Sequence, residues 1–115
     1  MPEAEPVDAL LGALADPTRL AIVRALGAEP RRSGELAAAL DVSRPAMSRH
    51  LRALRDAGVV TDEILADDGR GRVYRLRREP FEALRGFVDE VEAFWGEQLA
   101  AFAAHVESGA RGRGR

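Results

Sequence analysis

The sequence predicts a mainly α-helical domain with a small β-hairpin, in the order α-α-α-α-β-β-α. Apolar residues recur at helical spacing up to about residue 57, weak alternation follows over 60–77, and one long apolar stripe covers 80–107. The length of 115 residues, with 46% hydrophobic and 31% charged residues, fits one compact domain. We therefore expect a single domain over residues 1–108 and a disordered Arg/Gly tail over 109–115.

Two short helices are predicted over residues 7–26. The first has apolar residues at positions i, i+3, i+4 and i+7 from Val7. The second begins with Asp16 followed by Pro17, which is typical of an N-cap and the first helical position. Gly27 is predicted to end it.

A helix-turn-helix is predicted over residues 33–57. Ser33 is expected to cap a short third helix, and a tight turn leads to Ser43, which is expected to cap a fourth. The fourth helix is predicted to run from Arg44 to about Ala57 and to stop at Gly58.

The fourth helix has one apolar and one basic face. Met47, Leu51 and Leu54 fall together on a helical wheel, while the opposite surface carries arginine and small polar groups without a carboxylate until Asp56. A helix fits the major groove of DNA, where its first residues reach base edges and its later ones meet phosphates. The alternative is that this face is merely solvated. The candidate DNA-binding residues of the helix are Ser43, Arg44, Pro45, Ser48, Arg49, His50, Arg52 and Arg55.

The roles within this set differ. We assign base contacts to Arg44, Pro45, Ser48 and Arg49, and phosphate contacts to the later arginines and to the amides capped by the serine before the helix. His50 lies on the shoulder between the two faces, so a packing role and a phosphate contact are equally open.

The stretch from residue 60 to 77 is predicted to form two short strands joined by a basic tip. Arg70 and Arg72 lie near that tip and could reach neighbouring phosphates or the minor groove. The alternative is a solvated turn in which these arginines pair with Asp67 and Asp68.

The last predicted helix, over residues 80–107, is too long for the rest of the domain to cover. As a continuous helix it would measure about 42 Å, whereas a domain of this length has a radius of gyration of roughly 13 Å. Its apolar stripe therefore predicts a homodimer, assisted by the first helix, and a twofold dimer predicts a twofold operator. The candidate dimer residues are Val7, Leu10, Leu11, Leu14, Phe87, Val91, Phe94, Trp95, Leu99 and Phe102.

The charge is segregated along the chain. The net charge is −2 and the pI about 5.7, values that by themselves argue against a nucleic-acid binder. Residues 31–78, however, hold eleven arginines against seven acidic residues, a net charge of +4, between two acidic flanks. All 17 basic residues are arginine, which suits contacts to phosphate and guanine or reflects a coding bias.

Several classes of function find no support in the composition. The absence of cysteine excludes disulfides, thiolate metal sites and cysteine nucleophiles. No nucleophile motif or convergent polar cluster indicates an enzyme. No apolar run is long enough to span a membrane, and the acidic start is unlike a signal peptide, so we expect a cytoplasmic protein.

Four segments of the chain resemble the ArsR-type winged helix-turn-helix repressors: residues 16–19, 34–37, 43–51 and 54–60. The Ser-x-Pro-x-x-Ser-x-His-Leu run within the third of these is the most specific match. The resemblance covers roughly residues 7–107. It implies a homodimeric bacterial transcription regulator that binds double-stranded DNA, with the hairpin as the wing.

The sequence departs from the metal-sensing members of that family. Their paired cysteines correspond here to Arg32 and Gly34, and the last helix offers only His105 without a family-like spacing of ligands. We therefore predict no metal and no cofactor. A small-molecule effector is left open, with the aromatic helix and the dimer seam as its expected place. The alternative function is a protein-interaction module that uses the basic face for an acidic partner.

Overall fold

The computed structural model describes residues 6–64 and 71–113, with side chains described through Gly109. It contains the predicted helices and hairpin together with one additional short strand, and it divides into two compact units, residues 1–84 and 85–115. The mainly helical fold class with a small sheet is confirmed. The elements are α1 (Pro6–Leu14), α2 (Pro17–Ala28), β1 (Arg31–Arg32), α3 (Ser33–Leu40), α4 (Arg44–Asp56), β2 (Val60–Ile64), β3 (Arg72–Leu76) and α5 (Arg78–Arg113).

The core of the first unit is aliphatic. Side chains from α1, α2, α3, α4 and the start of β2 meet there, and each fully buried leucine, isoleucine, valine or methionine contributes about 1.5–3 kcal/mol. The aromatic rings of Tyr74 and Phe81 pack only at its edge. The side chains with at most 1% exposure are Leu10, Ile22, Leu36, Met47, Leu51, Leu54, Val59 and Val60.

The N-terminus of α2 is capped as predicted. The carboxylate of Asp16 accepts hydrogen bonds from the amides of Thr18, at 2.8 Å, and Arg19, at 3.0 Å. The predicted end is wrong, because α2 continues through Gly27 to Ala28 and its C-cap Glu29 is extended. A glycine ends a helix when it takes a positive φ, and Gly27 remains helical instead.

The start of α3 also differs from the prediction. Ser33 is the first helical residue, and the N-cap is Arg32, which makes no side-chain capping bond. The reason lies in the tertiary structure. Residues 31 and 32 form β1, whose pairing with β3 sets the extended backbone before the helix.

The three strands form one antiparallel sheet in the order β1-β3-β2. In β3, Tyr74 pairs with Asp62 of β2 on one side and with Arg31 of β1 on the other. This central position ties the hairpin to the segment between α2 and α3.

Helix α5 extends further in both directions than predicted. It begins at Arg78, so that Pro80 lies in the first turn, where no helical amide bond is lost. It continues past residue 107 to Arg113 and so includes part of the tail predicted to be disordered from Gly109, while residues 114 and 115 lie outside the described part of the chain. No proline interrupts the helix after its first turn. No helix within the described residues combines the length and the apolar character that crossing a bilayer requires.

Candidate nucleic-acid interface

Helix α4 is anchored at its start by a tight turn from α3. Asp41 takes a left-handed conformation, with φ of 53°, and its amide donates to the last carbonyls of α3. The hydroxyl of Ser43 then accepts a hydrogen bond from the amide of Ala46 at 3.2 Å, as predicted for an N-cap. Pro45, at the second helical position, requires no amide partner. These local interactions fix the direction in which α4 leaves the turn.

The other end of α4 is held by Gly58 and Arg77. Gly58 has a φ of +77°, which reverses the chain toward β2. The guanidinium of Arg77 donates to the carbonyl of Gly58 at 3.2 Å, and the amide of Arg77 donates to the carbonyl of Val59 at 2.9 Å. The sequence did not indicate this role for Arg77, because its partners are 19 and 18 residues away.

The two faces of α4 are separated as the sequence predicted. Met47, Leu51 and Leu54 are buried in the core of the first unit. The opposite surface is open to solvent and carries four arginines without a carboxylate before Asp56. Seven of the eight candidate residues of this helix are exposed: Ser43, Arg44, Pro45, Ser48, Arg49, Arg52 and Arg55.

His50 is the exception, since it is half-buried. The amide hydrogen bond from Arg19 is the main cause of the lowered pKa of Asp16, and the charge of His50 also lowers the pKa of that carboxyl. Both roles of His50, in packing and in a phosphate contact, stay predictions.

The wing contributes a single described arginine to this surface. Arg72 is exposed at the start of β3 and donates a hydrogen bond to the carboxylate of Asp62 on β2. That hydrogen bond raises the pKa of Arg72 above its usual value. The other predicted wing residue, Arg70, lies outside the described residues, as do Asp67 and Asp68.

Asp62 also approaches α4. Its Oδ2 atom lies 3.8 Å from a terminal nitrogen of Arg55, and its side chain is only 10% exposed. One carboxylate thus contacts an arginine of the wing and an arginine of the helix. Local sequence patterns did not indicate a role for Asp62. The hairpin register, however, places it opposite Tyr74 and diagonal to Arg72, within reach of a long side chain.

Open grooves flank α4 on both sides. The larger, of about 560 Å³, is lined by Arg32, Ser33, Gly34 and Glu35 from the start of α3 and by Arg44 and Ser48. Gly34 lies beneath Arg44 there, since a Cβ atom at this glycine would be 3.8 Å from the guanidinium. The smaller groove, of about 290 Å³, lies between α4 and the wing and is lined by Ser48, Leu51, Arg52, Arg55, Arg72 and Tyr74.

The second unit presents an apolar stripe on α5. Its side chains are largely exposed, with Phe102 at 67%, and the rings of Phe94 and Trp95 meet edge to face with centroids 6.5 Å apart. In the first unit, Leu11 of α1 is 45% exposed, whereas Leu10 is fully buried in the core and offers no surface to a partner. The exposed apolar residues of α5 are Phe87, Val88, Val91, Phe94, Trp95, Leu99, Phe102 and Val106.

The two positions that the family resemblance matches with metal-binding cysteines are part of the larger groove. Arg32 and Gly34 stand there beside Glu35, whose carboxylate is 3.9 Å from the guanidinium of Arg32. Among the side chains that the structure describes, no three of the types that bind metals lie together.

Comparisons with known proteins agree with this architecture. A family model described as a helix-turn-helix domain matches residues 14–63. The HTH-type transcriptional regulator Rv2034 of Mycobacterium tuberculosis is 43% identical over 96 residues, which make up 84% of each chain.

Solved structures give the same result. An ArsR-like transcriptional regulator from Rhodococcus sp. RHA1 superposes with a TM-score of 0.73 at 31% identity, over 90% of this chain and 92% of that one. The homodimeric winged helix-turn-helix DNA-binding domain Mb0332 of Mycobacterium bovis superposes with a TM-score of 0.59 at 27% identity, over 81% and 83% of the two chains.

Proposed function

Because the chain belongs to the ArsR family of winged helix-turn-helix transcriptional regulators, we propose that it is a homodimeric repressor that binds an inverted-repeat operator. DNA-binding transcriptional regulation is the activity of this family. The observation that carries the proposal is the solvent-exposed basic face of α4, which is held rigidly by its buried apolar face and by interactions at both ends.

We assign α4 to the major groove. Arg44 in its first turn and Ser48 and Arg49 in its second are exposed close to the side-chain cap, so we expect these three residues to reach base edges. Arg52, further along the helix and on the wall of the smaller groove, is placed to contact the phosphate backbone. Base contacts supply specificity, whereas phosphate contacts position the protein.

The wing adds a second point of contact. Arg72 lies on the groove between α4 and the hairpin, and its fork of donors can contact a phosphate while one nitrogen remains bonded to Asp62. The start of α3 borders the other groove beside Arg44, where the amides of its first turn are available to bind a DNA phosphate.

Dimerisation is assigned to the apolar stripe of α5, together with Leu11 of α1. Eight large apolar side chains exposed along one helix form a patch that a soluble protein buries against a partner. The homodimeric state of the Mb0332 domain supports a second copy as that partner. A twofold dimer presents two copies of α4 to successive major grooves, about 34 Å apart.

Repression follows from simple occupancy. A dimer that covers two half-sites within a promoter excludes the polymerase from the same DNA. Loss of the dimer, or of base contacts, therefore relieves repression.

Selection from a pool of randomised DNA duplexes tests the proposal. The purified protein is expected to enrich an inverted repeat whose half-sites are about 10 base pairs apart. Enrichment of an asymmetric motif or of no motif contradicts it. Failure to bind any duplex at low salt favours the alternative, a protein-interaction module that presents its basic face to an acidic partner.

A further inference from the structure

Asp62 occupies a position between the two DNA-binding elements. Its carboxylate accepts a hydrogen bond from Arg72 of the wing and lies 3.8 Å from Arg55 of α4. With 10% of its surface exposed, Asp62 is far less accessible than either arginine, whose exposed fractions are 47% and 44%. The carboxylate therefore lies beneath two guanidinium groups whose outer edges face solvent.

The same two arginines line the smaller groove. Together with Arg52 they place three positive charges along a groove of about 290 Å³ beside the basic face of α4. A DNA phosphate that enters this groove meets the donors of Arg55 and Arg72 beside an existing carboxylate. It competes with Asp62 for those donors and is repelled by its charge.

We infer that Asp62 is a positioning residue that restrains Arg55 and Arg72 and thereby limits binding to non-specific DNA. This inference rests on the proposed function. On non-specific DNA, affinity comes almost entirely from phosphate contacts, and freely moving arginines adapt to any phosphate position. Arginines held by Asp62 contact phosphates only when α4 is bound in the major groove at the position that its base contacts specify.

Loss of the Asp62 carboxylate changes the affinity for specific DNA less, because two contributions oppose each other. Loss of the carboxylate frees donors and removes repulsion, which strengthens phosphate contacts. The same loss removes the orientation of both side chains, and ordering a long side chain on binding costs conformational entropy, which weakens binding. Asp62 therefore increases the ratio of specific to non-specific affinity.

The neighbouring residue Glu63 provides a matched control. Its carboxylate accepts hydrogen bonds from Arg75 at 2.7 and 3.0 Å, and both side chains are about half exposed. Glu63 is adjacent in β2 and therefore lies on the other face of the sheet, and Arg75 is not part of the groove. Replacing Glu63 by glutamine changes the net charge by the same amount as Asp62→Asn.

The experiment measures the affinity of wild-type, Asp62→Asn and Glu63→Gln proteins for two duplexes over 50–300 mM salt. One duplex carries the motif from the randomised pool, and the other is its scrambled sequence. For Asp62→Asn we expect about tenfold tighter binding to the scrambled duplex at 50 mM salt, and a salt slope steeper by about one, as for one added phosphate contact. Affinity for the selected duplex is expected to stay within about threefold.

Two results would overturn the inference. The first is a salt slope of Asp62→Asn on scrambled DNA equal to that of the wild type. The second is an equal gain for Glu63→Gln, which would show an effect of net charge alone. Non-specific binding is measurable on any duplex of arbitrary sequence, so these results are distinct from failure of the selection, which would instead contradict the proposed function.

A second variant keeps the inference testable if Asp62→Asn unfolds, as judged by its thermal melting. Arg72→Ala leaves Asp62 intact. We expect it to weaken binding to the selected duplex about tenfold and to change binding to the scrambled duplex by less than about threefold. An equal loss on both duplexes would show that Arg72 contacts non-specific phosphates despite Asp62.

Discussion

If the apolar stripe of α5 forms the dimer interface, the effect of Phe102→Ala on the stability of the dimer follows from the exposed area of this side chain. The ring is 67% exposed in the isolated chain. An aromatic side chain buries about 200 Å² when it is covered, so about 130 Å² of this ring is free to be buried by a partner. At about 25 cal/mol per Å², this area corresponds to roughly 3 kcal/mol for each ring.

A twofold dimer contains the ring twice, which gives an upper value of about 6 kcal/mol for both copies. If the dimer covers half of the free area, Phe102→Ala weakens the free energy of dimerisation by about 3 kcal/mol. The dissociation constant of the dimer then rises roughly 150-fold. Sedimentation equilibrium over a range of protein concentrations measures this shift directly.

Glu97→Ala is the matched control. Glu97 is exposed on α5 and lies on the side of the helix away from the stripe. Its replacement is expected to leave the dimer dissociation constant within about threefold of the wild-type value. A Phe102→Ala protein that dimerises as tightly as Glu97→Ala would refute the assignment of this stripe to the dimer.

Three further predictions concern the two ends of α4 and the N-cap of α2. Ser43→Ala removes the N-cap bond and should lower the free energy of unfolding by about 1 kcal/mol in a urea titration; an unchanged midpoint would contradict the role of the cap. Gly58→Ala places a side chain at a φ of +77° and 3.2 Å from Arg77, and should cost about 1–2 kcal/mol. Its control, Gly27→Ala, lies in a helix with no atom within 4 Å of the added methyl, and should be neutral or stabilising. Amide hydrogen bonds lower the pKa of Asp16 in the folded state, so its stabilising contribution is complete above its ordinary pKa of 3.8 and is lost as the pH falls through the lower folded value. Asp16→Asn retains a capping oxygen and should show a smaller fall in melting temperature between pH 5 and pH 3; an identical fall would assign the acid sensitivity to other carboxyls.

The elements that local patterns determine were predictable. The spacing of Met47, Leu51 and Leu54 identified the buried face of α4, and Asp16 and Ser43 were correctly placed as N-caps. Each of these features depends on residues within one or two helical turns of each other, which is the range over which periodicity and capping act.

The missed features depend on contacts between distant residues. Strand β1 exists because residues 31 and 32 pair with β3 more than 40 positions later, and the same pairing makes Ser33 the first helical residue instead of a cap. Leu10 and Leu11 belong to the same apolar pattern of the first helix, and both were predicted to lie at the dimer interface. Only the packing of α1 shows that Leu10 belongs to the core.

The sequence predicted which arginines of the candidate site are exposed, but not the ion pairs between them and other residues. The exposed arginines of α4 follow from the helical wheel. The contact of Asp62 with Arg55 and Arg72 requires the hairpin register and the position of the wing beside α4, neither of which local sequence determines.

The central claim is that the first turns of α4 recognise specific bases, and Arg49→Ala tests it most directly. The measurement is the ratio of affinities for the selected and the scrambled duplex, with Arg24→Ala, an exposed arginine on α2, as the control for loss of charge. One base contact contributes about 1–3 kcal/mol, and a dimer makes it in both half-sites, so the ratio should fall about thirtyfold or more while the dimer remains intact. A ratio for Arg49→Ala equal to that of Arg24→Ala would contradict the account.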